Sequence, residues 1–111
     1  MNITTPDQVI AELNRLKVES ERGITALYDA EVKVADRDLA WTMAYNQHFL
    51  DSKGTVADRE SVAKMNSANE KFELDMAKIE LSRIKAKIKQ LSDAGTLTAV
   101  IAKQVELTYK H

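Results

Sequence analysis

Histidine is the side chain that most often moves protons or holds metals near neutral pH, and this 111-residue chain has two, His48 and His111. Neither stands in an HExxH-type spacing. His48 and Asp51 sit three residues apart and can chelate weakly at a helix end, but a histidine there also serves the helix dipole as a plain cation. A zinc site needs three or four ligands, and with no cysteine the chain has no thiolate to supply one. The serines lack a histidine at a credible distance, and no GxSxG, P-loop or GxGxxG motif occurs. The carboxylates alternate with Lys and Arg as solvated faces, with i,i+4 pairs such as Glu60–Lys64. The sequence therefore indicates no catalytic residue, no metal and no cofactor, and it reads as non-enzymatic.

Two features remain that can bind. The run Arg83, Lys85, Lys87, Lys89 brackets Ile84 and Ile88 and could contact phosphates. No aromatic residue interleaves it, so a platform for stacking bases is missing, and the same cations also suit a helix C-terminal half with their stems along an apolar seam. The second feature is Trp41, Tyr45 and Phe49, four residues apart on one helical face. These residue types dominate binding energy at protein interfaces. Asn46 and Asn69 read as register-setting amides on inward seams. Met43, Met65 and Met76 read as core filler.

The elements that position these residues are helices. Charged residues make up 30% of the chain and aromatics 5%, with three glycines and one proline. Such a composition disfavours a sandwich or barrel, and a hydrophobic content of 44% is too high for disorder. Nothing at the N-terminus resembles a signal peptide, and no apolar run approaches the roughly 20 residues of a membrane span. The expectation is a cytoplasmic protein with no membrane association. The net charge of −1 gives no general attraction to nucleic acid, although residues 1–50 are acidic and residues 51–111 mildly basic.

Thr5-Pro6-Asp7-Gln8 carries a cap, a first-turn proline and a capping box, so a helix starts there and runs to about residue 50. Asp51-Ser52-Lys53-Gly54 supplies a polar reversal, and Thr55 with Asp58 caps the next helix. Gly95 reads as a helix stop, after which Thr96 or Thr98 caps a short last helix. The expected fold is all-α, a single helical domain over residues 1–111. It is a long antiparallel, coiled-coil-like hairpin plus a short C-terminal helix, with helices at about 6–50, 56–93 and 97–110.

Apolar spacing suggests the packing. Tyr28, Val32, Ala35, Leu39, Thr42, Asn46 and Phe49 form one seam of alternating three and four steps, and Val62, Met65, Asn69, Phe72, Met76 and Ile79 form its complement. Folding at residues 51–55 sets Ala35 against Phe72, Val32 against Met76 and Tyr28 against Ile79. Each helix carries a second line: Val9, Leu13, Leu16, Ser20, Ile24, Leu27, Glu31, Val34, Trp41 and Tyr45 on the first, and Leu74, Ala77, Leu81, Ile84, Ile88 and Leu91 on the second. A short last helix cannot reach Trp41, so either the first helix breaks at Gly23 or a second chain covers the aromatic residues. The second choice, a homo-oligomer, is the expectation.

The stretch Trp41 to Lys64, WTMAYNQHFLDSKGTVADRESVAK, resembles a type of small all-helical protein from tailed bacteriophages and prophages. Tyr45, Phe49, Leu50, Gly54, Thr55, Val56 and Arg59 carry the likeness, which continues loosely through Gln90-Leu91 and Ala102 to Leu107. Such proteins are often encoded near recombination or single-strand-binding genes. The resemblance implies a phage protein in a bacterial cytoplasm that serves DNA recombination or replication. The leading expectation is thus a helical adaptor that holds a phage or host protein. An accessory nucleic-acid binder using Arg83, Lys85, Lys87 and Lys89, or an inhibitor of a host enzyme or defence complex, is the alternative.

Overall fold

A computed structural model describes residues 5–109. Within them the chain forms α1 (Pro6–Asp51), α2 (Val56–Asn66) and α3 (Ala68–Tyr109), with no strand among the described residues. The capping boxes form as their sequences dictate. Thr5 N–H donates to Gln8 Oε1 at 3.1 Å while Gln8 N–H donates to Thr5 Oγ1 at 3.3 Å. The same reciprocal pair joins Thr55 and Asp58, at 3.2 Å each way. Each box satisfies amides that a helix start leaves without a partner. Between α1 and α2, Gly54 has φ +113°. A Cβ there would lie 2.9 Å from Asp58 Oδ2, so the reversal and the cap together require glycine.

α2 and α3 are one helical path with a single fault. Ser67 has φ −104° and ψ 11°, and its hydroxyl donates to Ala63 O at 2.6 Å. A serine that bonds back one turn competes with the ladder and bends a helix. The ladder nevertheless continues on both sides, from Ser67 N–H to Ala63 O and from Lys71 N–H to Ser67 O, each at 3.0 Å.

Two compact units divide the molecule, residues 5–27 with 84–109 and residues 28–83. In the first, the start of α1 lies against the far half of α3, and Val9, Leu16 and Val105 are buried. In the second, the rest of α1 lies against α2 and the start of α3, and Ala30, Ala63, Leu74 and Ala77 are buried. The hairpin fold is thus the observed one. Its last helix is not separate, however. α3 runs through Gly95 without interruption. Gly54 alone among the described residues takes the positive φ that a glycine stop would need. Thr96 donates its hydroxyl to Ser92 O within the helix instead of capping a new one, and Thr98 is buried.

The reason is periodicity. Ser67, Leu74, Leu81, Ile88, Gly95 and Ala102 recur every seven residues, as do Ala63, Glu70, Ala77, Ile84, Leu91, Thr98 and Val105, and every one is buried or half-buried. Burial along an unbroken heptad seam outweighs the roughly 1 kcal/mol by which glycine disfavours a helix. α1 answers with Val9, Leu16, Gly23, Ala30, Arg37 and Ala44 seven apart, and with Glu12, Glu19 and Ala26, a row that resumes one residue late as Val34, Trp41 and His48. This reverses the faces read from the sequence. Tyr28, Val32, Leu39, Phe72, Met76 and Ile79 point outward, Tyr28 being 67% and Phe72 59% exposed. The line that stays inward runs the length of α3, whereas the Phe72 line meets Arg83, Gln90 and Asp93 on the same spacing.

Gly23 does not break α1. A Cβ at Gly23 would stand 3.1 Å from Ile88 Cγ1, so its absence lets the two helices close. The glycine serves contact between helices and leaves the helix intact.

Candidate functional site

The aromatic residues of α1 find their cover inside the chain. Trp41 and Tyr45 meet edge to face, with centroids 6.2 Å apart and planes at 61°, a favoured geometry. Lys71 of α3 sets its Nζ 4.6 Å from the centre of the Trp41 ring and pairs with Asp75 at 3.3 Å. A cation over an indole face gains from the ring quadrupole. Trp41, Tyr45 and Phe49 are each half-buried. The expectation that nothing in this chain reaches Trp41 is therefore corrected. It assumed that only a short last helix was available, whereas α2 and α3 run opposite α1 along this unit. Trp41, Thr42, Tyr45, Asn46 and Lys64 line an open cleft of about 280 Å³. Lys64, which the sequence pairs with Glu60, lines this cleft.

Phe49 is fixed by Arg59, a residue that sequence spacing alone did not single out as its partner. The Arg59 guanidinium carbon lies 4.4 Å from the centre of the Phe49 ring, and Nε donates to Phe49 O at 3.1 Å. The one side chain thus covers a ring and satisfies a carbonyl in the last turn of α1. Ser52 Oγ donates to the same carbonyl at 3.0 Å. The signal that could have found Arg59 and Lys71 is numerical. Observed contacts across the seam pair Phe49 with Arg59, Trp41 with Lys71 and Gly23 with Ile88. These lie within about a turn and a half of the register that the 51–55 reversal predicts, with Trp41 and Gly23 on the other face.

The four cations of the basic run are unequal. Arg83 pairs with Glu80 at 3.6 Å and Lys89 with Asp93 at 3.8 Å. In the first unit Lys87 lines a groove of about 310 Å³ together with Glu19, Arg22, Gly23 and Ile84. Lys85 is exposed. Carboxylates beside two of the four weaken the local positive field that a phosphate backbone would meet.

The seam also holds polar groups. Glu12, 9% exposed, accepts from Arg15 Nη2 at 2.6 Å and from Nε at 3.1 and 3.2 Å. That hydrogen-bonded guanidinium holds the Glu12 carboxyl below its ordinary value. Arg37 Nε and Glu70 Oε2 are buried without a hydrogen-bond partner. His48 is half-buried in the last turn of α1, and His111 lies outside the described residues. Among the described residues no three His, Asp or Glu side chains gather as a metal cluster, and no helix is long and apolar enough to cross a membrane.

What the molecule leaves open is its outer surface. On α1 of the second unit, Tyr28, Val32, Leu39, Met43 and Leu50 are exposed, as are Val62, Met65, Phe72, Met76 and Ile79 on α2 and α3. Asp29, Glu31, Asp36 and Asp38, all exposed, edge the α1 line. Compared with known protein families, curated proteins and solved structures, the chain shows no significant match.

Proposed function

We propose that this chain is a non-enzymatic adaptor whose outward helix faces bind other proteins. One observation carries the reading: large apolar side chains recur at coiled-coil spacing on the outside of α1 and of α2–α3 in the second unit, while the residues buried in its seam are Ala30, Ala63, Ser67, Leu74 and Ala77. Contiguous exposed apolar surface of this kind marks interaction sites. The α1 face, from Tyr28 to Met43, has an acidic border of Asp29, Glu31, Asp36 and Asp38. The partner that complements it is an apolar helix face or groove with a basic rim. The resemblance of Trp41–Lys64 to helical phage proteins supports placing that partner in a phage or its bacterial host, in DNA recombination or replication.

A photo-crosslinking residue at Leu39 tests the reading in cells that express the protein. The expected result is an adduct with a second protein that can be rebuilt from the two purified components. Asp36→Lys with Asp38→Lys should weaken that complex at least tenfold, more strongly at low salt. No adduct at Leu39 beyond the chain itself removes the basis for the adaptor.

A further inference from the structure

The two outward stripes differ in what they can accept. Val62, Met65, Asn69, Phe72, Met76 and Ile79 alternate in steps of three and four, stay exposed throughout and keep phase across the fault at Ser67. Resting on the adaptor reading, we infer that this α2–α3 face is where a second copy of the chain docks, antiparallel and two-fold symmetric, about a centre between Asn69 and Phe72. In that register Val62 meets Ile79 of the copy, Met65 meets Met76, and the smaller Asn69 meets Phe72. Every contact is made twice by symmetry, as an isologous interface requires.

The borders of the stripe select this arrangement. Antiparallel pairing about that centre brings Arg59 of one copy to Glu80 of the other, Asn66 to Glu73, and Ala68 to Asp75. No like charges face one another, and two ion pairs of opposite sign form at the ends. Arg59 donates Nε to Phe49 O, and its terminal nitrogens remain to meet Glu80, whose exposed 3.6 Å pair with Arg83 leaves its other oxygen to accept. The α1 stripe fails the same trial. Pairing with its own copy about Ala35–Leu39 sets Asp36 opposite Asp36 and Asp38 opposite Asp38. Nor does it suit the α2–α3 stripe, whose borders carry Glu73, Asp75 and Glu80. Charge therefore directs a second copy to α2–α3 and a basic-rimmed partner to α1.

The extent fits a reversible dimer. From Val62 to Ile79 the helices run side by side for about 27 Å at 1.5 Å per residue. That covers on the order of 600 Å² on each copy, beside the roughly 800 Å² per partner of standard-size interfaces.

Sedimentation equilibrium of the purified full chain, from about 1 to 300 µM, tests this. A monomer–dimer equilibrium is expected for the wild type, with Phe72→Glu monomeric and Leu39→Glu still dimeric. Glu80→Arg, which opposes two cations, should weaken the dimer several-fold without altering helicity and serves where Phe72→Glu disturbs the fold. Because the chain has no cysteine, Val62→Cys with Ile79→Cys should give an oxidised dimer. Val62→Cys alone should not, because the antiparallel register places its two copies about 25 Å apart along the axis. A wild type that stays monomeric throughout overturns the inference. So does loss of the dimer through Leu39→Glu and not Phe72→Glu, or crosslinking of Val62→Cys alone. A monomeric wild type leaves the Leu39 adduct unaffected, so failure here and failure of the adaptor reading are distinguishable.

Discussion

Glu12 shows how much a single carboxylate on the seam depends on its neighbour. Arg15 grips both of its oxygens and lowers its proton affinity below the ordinary 4.5. A carboxyl whose folded value is depressed stabilises the fold above its unfolded value, and that contribution disappears as pH falls through the folded one. Glu12→Gln should therefore unfold more easily than wild type at pH 7, and the gap should narrow in urea titrations as pH falls below 4.5. A gap that does not narrow on acidification would mean that Glu12 acts through packing. Sequence reading passed over Glu12 because an acid amid lysines and arginines reads as surface. Its place on the Val9–Leu16 line was the available sign. Arg37 and Glu70 were missed for the same reason, since both occupy inward positions that an apolar search leaves out.

At the scale of the element, the three glycines do three different things. Gly54 allows the reversal through its positive φ, Gly23 allows close approach to Ile88, and a Cβ at Gly95 would have nothing within 4 Å. Gly95→Ala should therefore stabilise by about 1 kcal/mol, the helix-propensity difference. That corresponds to a rise in melting temperature of about 4–8 °C for a domain near this size. Gly23→Ala should gain none of this, because Ile88 must shift to admit the methyl. Equal stabilisation by both would contradict the close approach at Gly23. Caps and the reversal were legible because Thr5, Gln8, Thr55 and Asp58 act on neighbours within one turn. The inward face was not. Both lines on each helix have coiled-coil spacing, and large apolar side chains such as Tyr28, Leu39, Phe72 and Met76 also sit on the line that ends outward. What decides between them is the distance over which a line persists, and the row through Ser67, Leu74, Leu81, Ile88, Gly95 and Ala102 includes a serine and a glycine that look like interruptions.

For the molecule as a whole, a seam with this many small and polar residues buries little large apolar surface, and the dimer proposed above would add to that burial. A fold coupled to dimerisation gains stability with concentration. Melting followed by circular dichroism should shift upward by a few degrees for each tenfold increase in protein, since a decade of concentration is worth about 1.4 kcal/mol. Phe72→Glu should remove that dependence. A melting point that does not change between about 5 and 500 µM would indicate a chain complete by itself. The seven-residue rows of α3 have one more consequence, for how such a chain can change length over evolutionary time. Inserting one residue into α3 ahead of Arg83 turns everything beyond it by about 100°, which carries Arg83 and Lys87 into the seam and Ile84 and Ile88 out. Inserting or deleting seven nearly restores every face. Relatives of this chain are thus expected to differ in helix length by multiples of seven, paired between α1 and α3, with their loop and caps unchanged.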